Sequence, residues 1–385
     1  MSASDKTPVV YALGSNGSGQ LGIGHDQDVS IPRQVVFSPD SEPTTPVVRV
    51  AAGGNHTLLL ASDGQLFRAG DSSTGACGPA SAGQGASAGQ QRQQGHIAHL
   101  AELPRAADGT PAAAPVRLIA ATWEASVIVQ ADEQGRNTAV SAFGVGMKGE
   151  LGQGQFIVRT PSISRIKDFP PHGTEVVDLA ACMGHVVAVL SNGDVYGWGN
   201  GRKGQLGTAV DGAADEPRRV EGVGFRVSRV VCGREFTCLF GPPDSGEMLV
   251  LGADKAGVKS GAPATALGWK DVGASWGGVY ILKQDGSLVS WGRNDHGQLA
   301  PPHLPRLDRI SIGSEHTVVV TEDGDVLAWG WGEHGNCGPK TENGDVKGRW
   351  NTIASKKYIP TGSEIVGIGA GCATSWISIA IPTQP

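Results

Sequence analysis

Three sets of residues in this 385-residue chain are of types and spacings that could do chemistry. The first is a glycine-rich stretch at residues 14–22 (GSNGSGQLG), 144–152 (GVGMKGELG) and 199–207 (GNGRKGQLG). Glycine loops cradle phosphate when a helix N-terminus follows and a Lys-Ser/Thr pair completes the loop. No helical pattern follows these stretches and no such pair is present, so their glycines are read as serving backbone geometry. The second set is His56, His185 and His316, at equivalent offsets. Imidazoles can be bases or metal ligands. The same offset elsewhere holds Ala125, Phe236, Gly278 and Thr374. A position that accepts Phe and Gly is no catalytic triad or metal shell, so satisfied core histidines are expected. The third set is the pair of residues preceding that offset: Gly54-Asn55, Trp123-Glu124, Met183-Gly184, Arg234-Glu235, Trp276-Gly277, Ser314-Glu315 and Cys372-Ala373. Trp, Arg and Met are enriched at interaction surfaces. Trp123, Glu124, Met183, Arg234, Glu235, Trp276, Ser314 and Glu315 are therefore candidate partner contacts, with Glu124, Glu235 and Glu315 as rim charges. No paired carboxylates or nucleophile–base arrangement recur, so an enzyme is not expected, nor a catalytic, cofactor or metal site.

The elements that position these residues form a repeat, clearest at 176–207 (VVDLAACMGHVVAVLSNGDVYGWGNGRKGQLG). It reads as strand, short loop, strand, tight turn, strand, glycine loop. Asn192-Gly193 suits a two-residue hairpin turn with positive φ at both positions. The glycine loop recurs at 292–300 and, more weakly, at 70–78, 252–260 and 330–338, which makes seven copies. The strand pair recurs seven times as well, as in VVRVAAGGNHTLLLASDG from Val47 and LDRISIGSEHTVVVTEDG from Leu307. One unit cannot bury its apolar faces alone, so stacked neighbours are required. The residue before each glycine loop is Leu13, Ala69, Phe143, Trp198, Leu251, Trp291 or Trp329, and is read as core between neighbouring units.

The last copy has two strands and no third, while residues 8–14 (PVVYALG) have a strand and no partner. Pairing between them is expected to close the array and remove its open edges. Residues 71–115 interrupt the repeat and read as a flexible insert, because segment 81–94 within them is rich in Gly, Ala, Ser and Gln with no hydrophobic period. Residues 339–361, with Trp350 and Tyr358, read as a linker.

Bulk properties narrow the function. Net charge is −6 and the pI about 5.9, and the chain opens MSASDKTPVV without a basic run. Steering toward nucleic acid is not favoured. Cysteines 77, 182, 232, 238, 337 and 372 form no C-x-x-C pair and read as small buried residues. With no apolar run of membrane-spanning length and no signal peptide, the chain reads as cytosolic, with a nuclear location also open.

The coupled motifs A-x-G-x-x-H-[ST], D-G and W-G-x-N-x-x-G-Q-L-G resemble the repeats of the regulator of chromosome condensation (RCC1-type) family along nearly the whole chain. The resemblance implies an all-β, seven-bladed β-propeller spanning 1–385 as one domain and closed by the N-terminal strand. A compact acidic member without a basic tail resembles the fungal propeller subunit of the Elongator and diphthamide pathways. That implies a non-catalytic adaptor whose partner is a small CSL-type zinc- or iron-binding protein, supporting wobble-uridine tRNA modification and diphthamide synthesis. The founding branch of the family implies the alternative, guanine-nucleotide exchange on a Ran-type GTPase.

Overall fold

The computed structural model describes residues 6–39, 41–78, 96–103 and 114–383. The segment 81–94, read as flexible, lies outside the described residues. Strands β1 (Lys6–Gly14) and β2 (Val29–Gln34) open the chain. Blade 1 follows with β3 (Val47–Ala52), β4 (His56–Ala61), β5 (Leu66–Gly70) and β6 (His99–Leu100). Blade 2 has β7 (Val116–Ala121), β8 (Ala125–Ala131), β9 (Asn137–Val145) and β10 (Arg159–Arg165). Blade 3 has β11 (Val176–Cys182), β12 (His185–Leu190), β13 (Val195–Asn200) and β14 (Ala213–Arg219). Blade 4 has β15 (Arg229–Cys232), β16 (Phe236–Phe240) and β17 (Met248–Gly252), and blade 5 has β18 (Trp269–Ala274), β19 (Gly278–Lys283) and β20 (Leu288–Gly292). Blade 6 has β21 (Leu307–Ile312), β22 (His316–Thr321), β23 (Asp325–Trp331) and β24 (Asp345–Ser355). The chain ends with β25 (Glu364–Ala370) and β26 (Thr374–Pro382).

These strands form seven antiparallel sheets among the described residues, and the seventh has the order β2-β1-β26-β25. All nine residues of β1 pair with β26, from Lys6↔Pro382 to Gly14↔Thr374. The expected closure is present: blade 7 is built from both ends of the chain. Inner strands contact each other in the cyclic order β3, β7, β11, β15, β18, β21, β25 and back to β3, and they line a central channel.

Three local expectations need correction. The Asn192-Gly193 turn is not a two-residue turn, because Gly193 is at φ +89° while Asn192 is not in the positive region. Gly193 N–H donates to the Leu190 carbonyl at 2.8 Å, and Leu190 N–H to the Asp194 carbonyl at 2.8 Å. That is a three-residue loop with its glycine in the left-handed position. Residues 339–361 are not only a linker, since they contain β24, eleven residues long and paired with β23. The described end of the 71–115 insert is likewise part of a blade. It supplies β6, beside which Ala98 and Ala101 are buried. Outer strands vary because each meets only one neighbour and faces solvent, so little in the sequence has to repeat there.

Contacts between blades are made by the motif residues. Leu13, Phe143, Trp198 and Trp329 are wholly buried, as expected of the residue before each glycine loop. The indole N–H of Trp198 donates to the Glu150 carbonyl at 2.9 Å, and that of Trp329 to the Gln298 carbonyl at 3.0 Å, each on the preceding blade's glycine loop. His56 Nε2 lies 2.9 Å from Ser126 Oγ on blade 2. His185 Nε2 lies 3.0 Å from Thr237 Oγ1 on blade 4, and His316 Nε2 lies 2.9 Å from Ser375 Oγ on blade 7. Ser126 and Ser375 donate their hydroxyl protons to the carbonyls of Ala76 and Asn336, both at 2.8 Å. They must then accept from the imidazoles, which fixes Nε2 as the protonated nitrogen of His56 and His316. The histidines are buried core residues whose Nε2 contacts pin one blade to the next, while Nδ1 of His185 and of His316 has no hydrogen-bond partner among the described residues.

The glycine that opens each loop has the same steric cause in all seven blades. Gly14, Gly70, Gly144, Gly199, Gly252, Gly292 and Gly330 have φ between +94° and +117°. A Cβ on any of them would stand 2.2–2.6 Å from the carbonyl oxygen of the residue preceding the histidine position. Gly199→Ala is therefore expected to cost about 3 kcal/mol or more, combining positive-φ strain with a backbone clash. Chemical denaturation of the variant measures it, and a midpoint equal to that of the parent would refute this steric account.

Candidate functional site

The loops joining the first and second strands of every blade meet at one end of the channel. Each is held from its own blade by the residue after the opening glycine. Ser15, Asp71, Val145, Asn200, Ala253, Arg293 and Trp331 donate their N–H to the carbonyls of Ala373, Asn55, Glu124, Gly184, Glu235, Gly277 and Glu315, at 2.7–3.0 Å. Neighbouring loops are also tied to one another in two runs, blades 1–3 and blades 4–7. Gly54 N–H donates to the Trp123 carbonyl and Trp123 N–H to the Met183 carbonyl, both at 2.9 Å. Arg234 N–H donates to Trp276, Trp276 to Ser314 and Ser314 to Gly371, at 2.9–3.0 Å. Side chains on these loops are thus presented by a fixed backbone.

Three of the expected contact residues come together. Trp123 of blade 2 and Trp276 of blade 5 meet across the axis with ring centroids 6.1 Å apart and planes inclined at 49°. The Arg234 guanidinium lies 5.7 Å from the centre of the Trp276 ring, a cation–π distance. Trp123 is 38% exposed and Arg234 is exposed, while Trp276 and Met183 are half-buried. Gly54 is small for a reason, since a Cβ there would stand 2.6 Å from the Trp123 ring. The two indoles and the guanidinium form one amphipathic patch over the channel. Glu124 is exposed beside it.

The other expected contacts divide. Glu235 is partly exposed and its carboxylate pairs with Lys255 Nζ at 2.7 Å, which holds the carboxyl below its usual range. Ser314 and Glu315 are corrected: both are buried, at 7% and 4% exposure. Arg293 Nη1 reaches Glu315 Oε1 at 2.6 Å and Gln298 Nε2 reaches Glu315 Oε2 at 2.7 Å, both from the glycine loop of blade 5. Burial pushes the Glu315 carboxyl upward against the opposing pull of Gln298 and Arg293. A carboxylate closed in this way organises two loops and is no rim charge.

Beneath the patch the channel wall carries Cys182, Cys232 and Cys372. Burial pushes the Cys182 thiol up to about 12 and raises those of Cys232 and Cys372, which disfavours the thiolate. Cys182 and Cys372 are half-buried, where the sequence reading expects them fully buried. Among the described residues, no group of three or more His, Cys, Asp or Glu side chains is placed to hold a metal ion. The sequence reading missed Met147 and Phe156, exposed by 70% and 87% on the glycine loop side of blade 2. Phe156 is held at φ +73°, a conformation that costs energy in a residue other than glycine. Its only sequence signal is the apolar run Phe156-Ile157-Val158 in an otherwise polar loop.

Comparison with known proteins now bears on this geometry. A family model described as "RCC1-like domain" matches residues 9–377. The chain belongs to the RCC1-like family. It is 32% identical over 389 residues to an RCC1 repeat-containing protein of Schizosaccharomyces pombe, covering 96% of this chain and 99% of that one. It is 26% identical to the secretion-regulating guanine nucleotide exchange factor of Mus musculus, across 98% of this chain and 85% of the relative. Among solved structures, Prp20p of Saccharomyces cerevisiae, described with its binding to Gsp1p and histones, superimposes with a TM-score of 0.78 at 22% identity. That match covers 98% of this chain and 92% of Prp20p. At that identity it supports the fold alone. RCC1-like propellers are protein-interaction scaffolds in the main, and some members are exchange factors.

Proposed function

We propose that this RCC1-like propeller is a non-catalytic adaptor that binds its protein partner on the loop face around Trp123, Trp276 and Arg234. The observation that carries the reading is the patch itself: two indoles and a guanidinium, from three blades, on a backbone fixed by hydrogen bonds. Interface hot spots are enriched in these side chains, and a prearranged loop loses little entropy on binding. The partner we favour is a small CSL-type zinc- or iron-binding protein, with the pair supporting Elongator-dependent tRNA wobble-uridine modification and diphthamide synthesis. Its support is the resemblance of this compact acidic chain to the fungal subunit of those pathways.

A second reading, nucleotide exchange on a Ran-type GTPase, is favoured by the name of the mouse relative. Exchange needs no bond-making residue, only tighter binding of the nucleotide-free GTPase. One set of measurements separates the two. The purified protein is expected to leave release of labelled GDP from Ran unchanged and to capture the CSL-type protein in a titration. Trp276→Ala should weaken that capture about thirtyfold, equivalent to about 2 kcal/mol, with a thermal melt close to that of the parent. Acceleration of GDP release at sub-stoichiometric protein would overturn the adaptor reading. Unchanged capture by a folded Trp276→Ala variant would move the partner to another surface.

A further inference from the structure

The opposite mouth of the channel, on the side of the hairpin turns, is built by a bulge repeated around the ring. Inner strands slip register against their neighbours between Val47 and Arg49, Val176 and Asp178, Trp269 and Asp271, and Leu307 and Arg309. Strands β7 and β25 slip at the equivalent place. A bulge breaks the alternation of a strand and re-aims the side chain that follows it. Arg49, Asp178, Asp271 and Arg309 are the charged residues so placed, and Arg229 opens the remaining inner strand, β15. All five line a cavity of about 400 Å³ at this mouth.

Their charges are unevenly matched. Arg229 takes both aspartates, with Nη2 at 2.7 Å from Asp271 Oδ1 and Nη1 at 3.5 Å from Asp178 Oδ1. Asp178 is buried and also accepts the Val230 N–H at 2.8 Å. Arg309 uses Nε on Asp308 at 3.0 Å, and Asp308 in turn takes Lys270 Nζ at 2.9 Å. The Nη groups of Arg309 make no hydrogen bond among the described residues. Arg49 has neither an ion pair nor a side-chain hydrogen bond among the described residues, although it is half-buried. Burial disfavours its charge, while Asp178 and Asp271 act on it only at a distance and Arg229 opposes them, so its donors stand unused in the wall of an open cavity.

We propose that this mouth is an anion site, in which Arg49 and the Nη groups of Arg309 bind a compact oxyanion of phosphate or carboxylate type. Guanidinium groups bind both through paired N–H donors. The site must be local, because the chain as a whole is acidic. Asp178 and Asp271 are occupied by Arg229, which leaves Arg49 and the Nη groups of Arg309 as the free donors of this mouth.

Calorimetric titration of the full chain with inorganic phosphate and with citrate, against chloride at matched ionic strength, tests this. Saturable one-to-one binding of either probe supports the site; phosphate alone assigns it to phosphoryl ligands, and citrate alone to carboxylates. Arg49→Ala is expected to weaken binding at least tenfold and Arg49→Lys to weaken it less. Asp271→Asn is expected to tighten binding severalfold, and Trp276→Ala, at the other mouth, to leave it unchanged. Thermal melts show which variants fold, and Arg309→Ala serves if Arg49→Ala does not. Heats no larger than those of chloride, or an Arg49→Ala variant that binds like the parent, would overturn the proposal.

Discussion

Removal of residues 1–13 is expected to abolish cooperative folding of the propeller, or to lower its melting temperature by more than 10 °C. Strand β1 is the third strand of blade 7 and joins the blade to β26 along its entire length. Val10, Ala12 and Leu13 are buried at 1%, 0% and 0% exposure. Their loss would also uncover Trp376, Ile377 and Ile379 of β26. Burial of one large aliphatic or aromatic side chain stabilises by about 1.5–3 kcal/mol. Five such side chains (Val10, Leu13, Trp376, Ile377 and Ile379) then amount to about 7 kcal/mol or more, comparable with the whole stability of a domain, roughly 5–15 kcal/mol. An open edge on β26 would further favour association between chains. Leu13→Ala is the graded version, with an expected loss of about 3 kcal/mol. A truncated chain that melts with the parent would show that blade 7 does not need its N-terminal strand.

Mild acid is expected to unfold the protein through the three inter-blade histidines. Burial depresses His56, His185 and His316 from 6.5 to about 4. A depressed histidine is neutral in the folded chain while its unfolded counterpart takes a proton. The stability it contributes is complete above pH 6.5 and is lost as pH falls toward 4. Each imidazole then removes about 1.4 kcal/mol per pH unit, and the three together about 4 kcal/mol per unit. At pH 5 the total loss reaches about 6 kcal/mol. Glu150 and Glu315 act in the opposite sense, since burial raises their carboxyls and the fold takes up those protons first. Denaturant titrations between pH 5 and 7 measure the slope. His316→Gln should flatten it by about one third, at the cost of the contact with Ser375. An unaltered slope in that variant would assign the acid sensitivity to other groups.

How much of this was legible beforehand follows from which contacts are repeated. The blade count and the closure by residues 8–14 rest on strand pairing repeated in every blade, and the burial of Trp198, Trp329 and the three histidines on contacts repeated in several blades. Such contacts impose the same residue at the same offset, so the sequence by itself determined them. It also placed Trp123, Arg234 and Trp276 at equivalent positions, from which closure brings them round one axis. What it left open depends on unlike neighbours. Glu315 and Glu124 occupy the same repeat position, yet one is buried and the other exposed. The difference comes from Arg293 and Gln298, which reach Glu315 from the loop of the preceding blade. The outer strands β6 and β24 likewise take their place from tertiary pairing, against a background of irregular sequence. The arginine-lined mouth was invisible for a related reason. Arg49, Arg229 and Arg309 lie 180 and 80 residues apart, and only the meeting of three separate blades, with bulges before Arg49 and Arg309, brings them to one cavity. Periodicity records what each blade needs from itself, whereas exposure and charge at the ends of the channel are set by seven different blades meeting there.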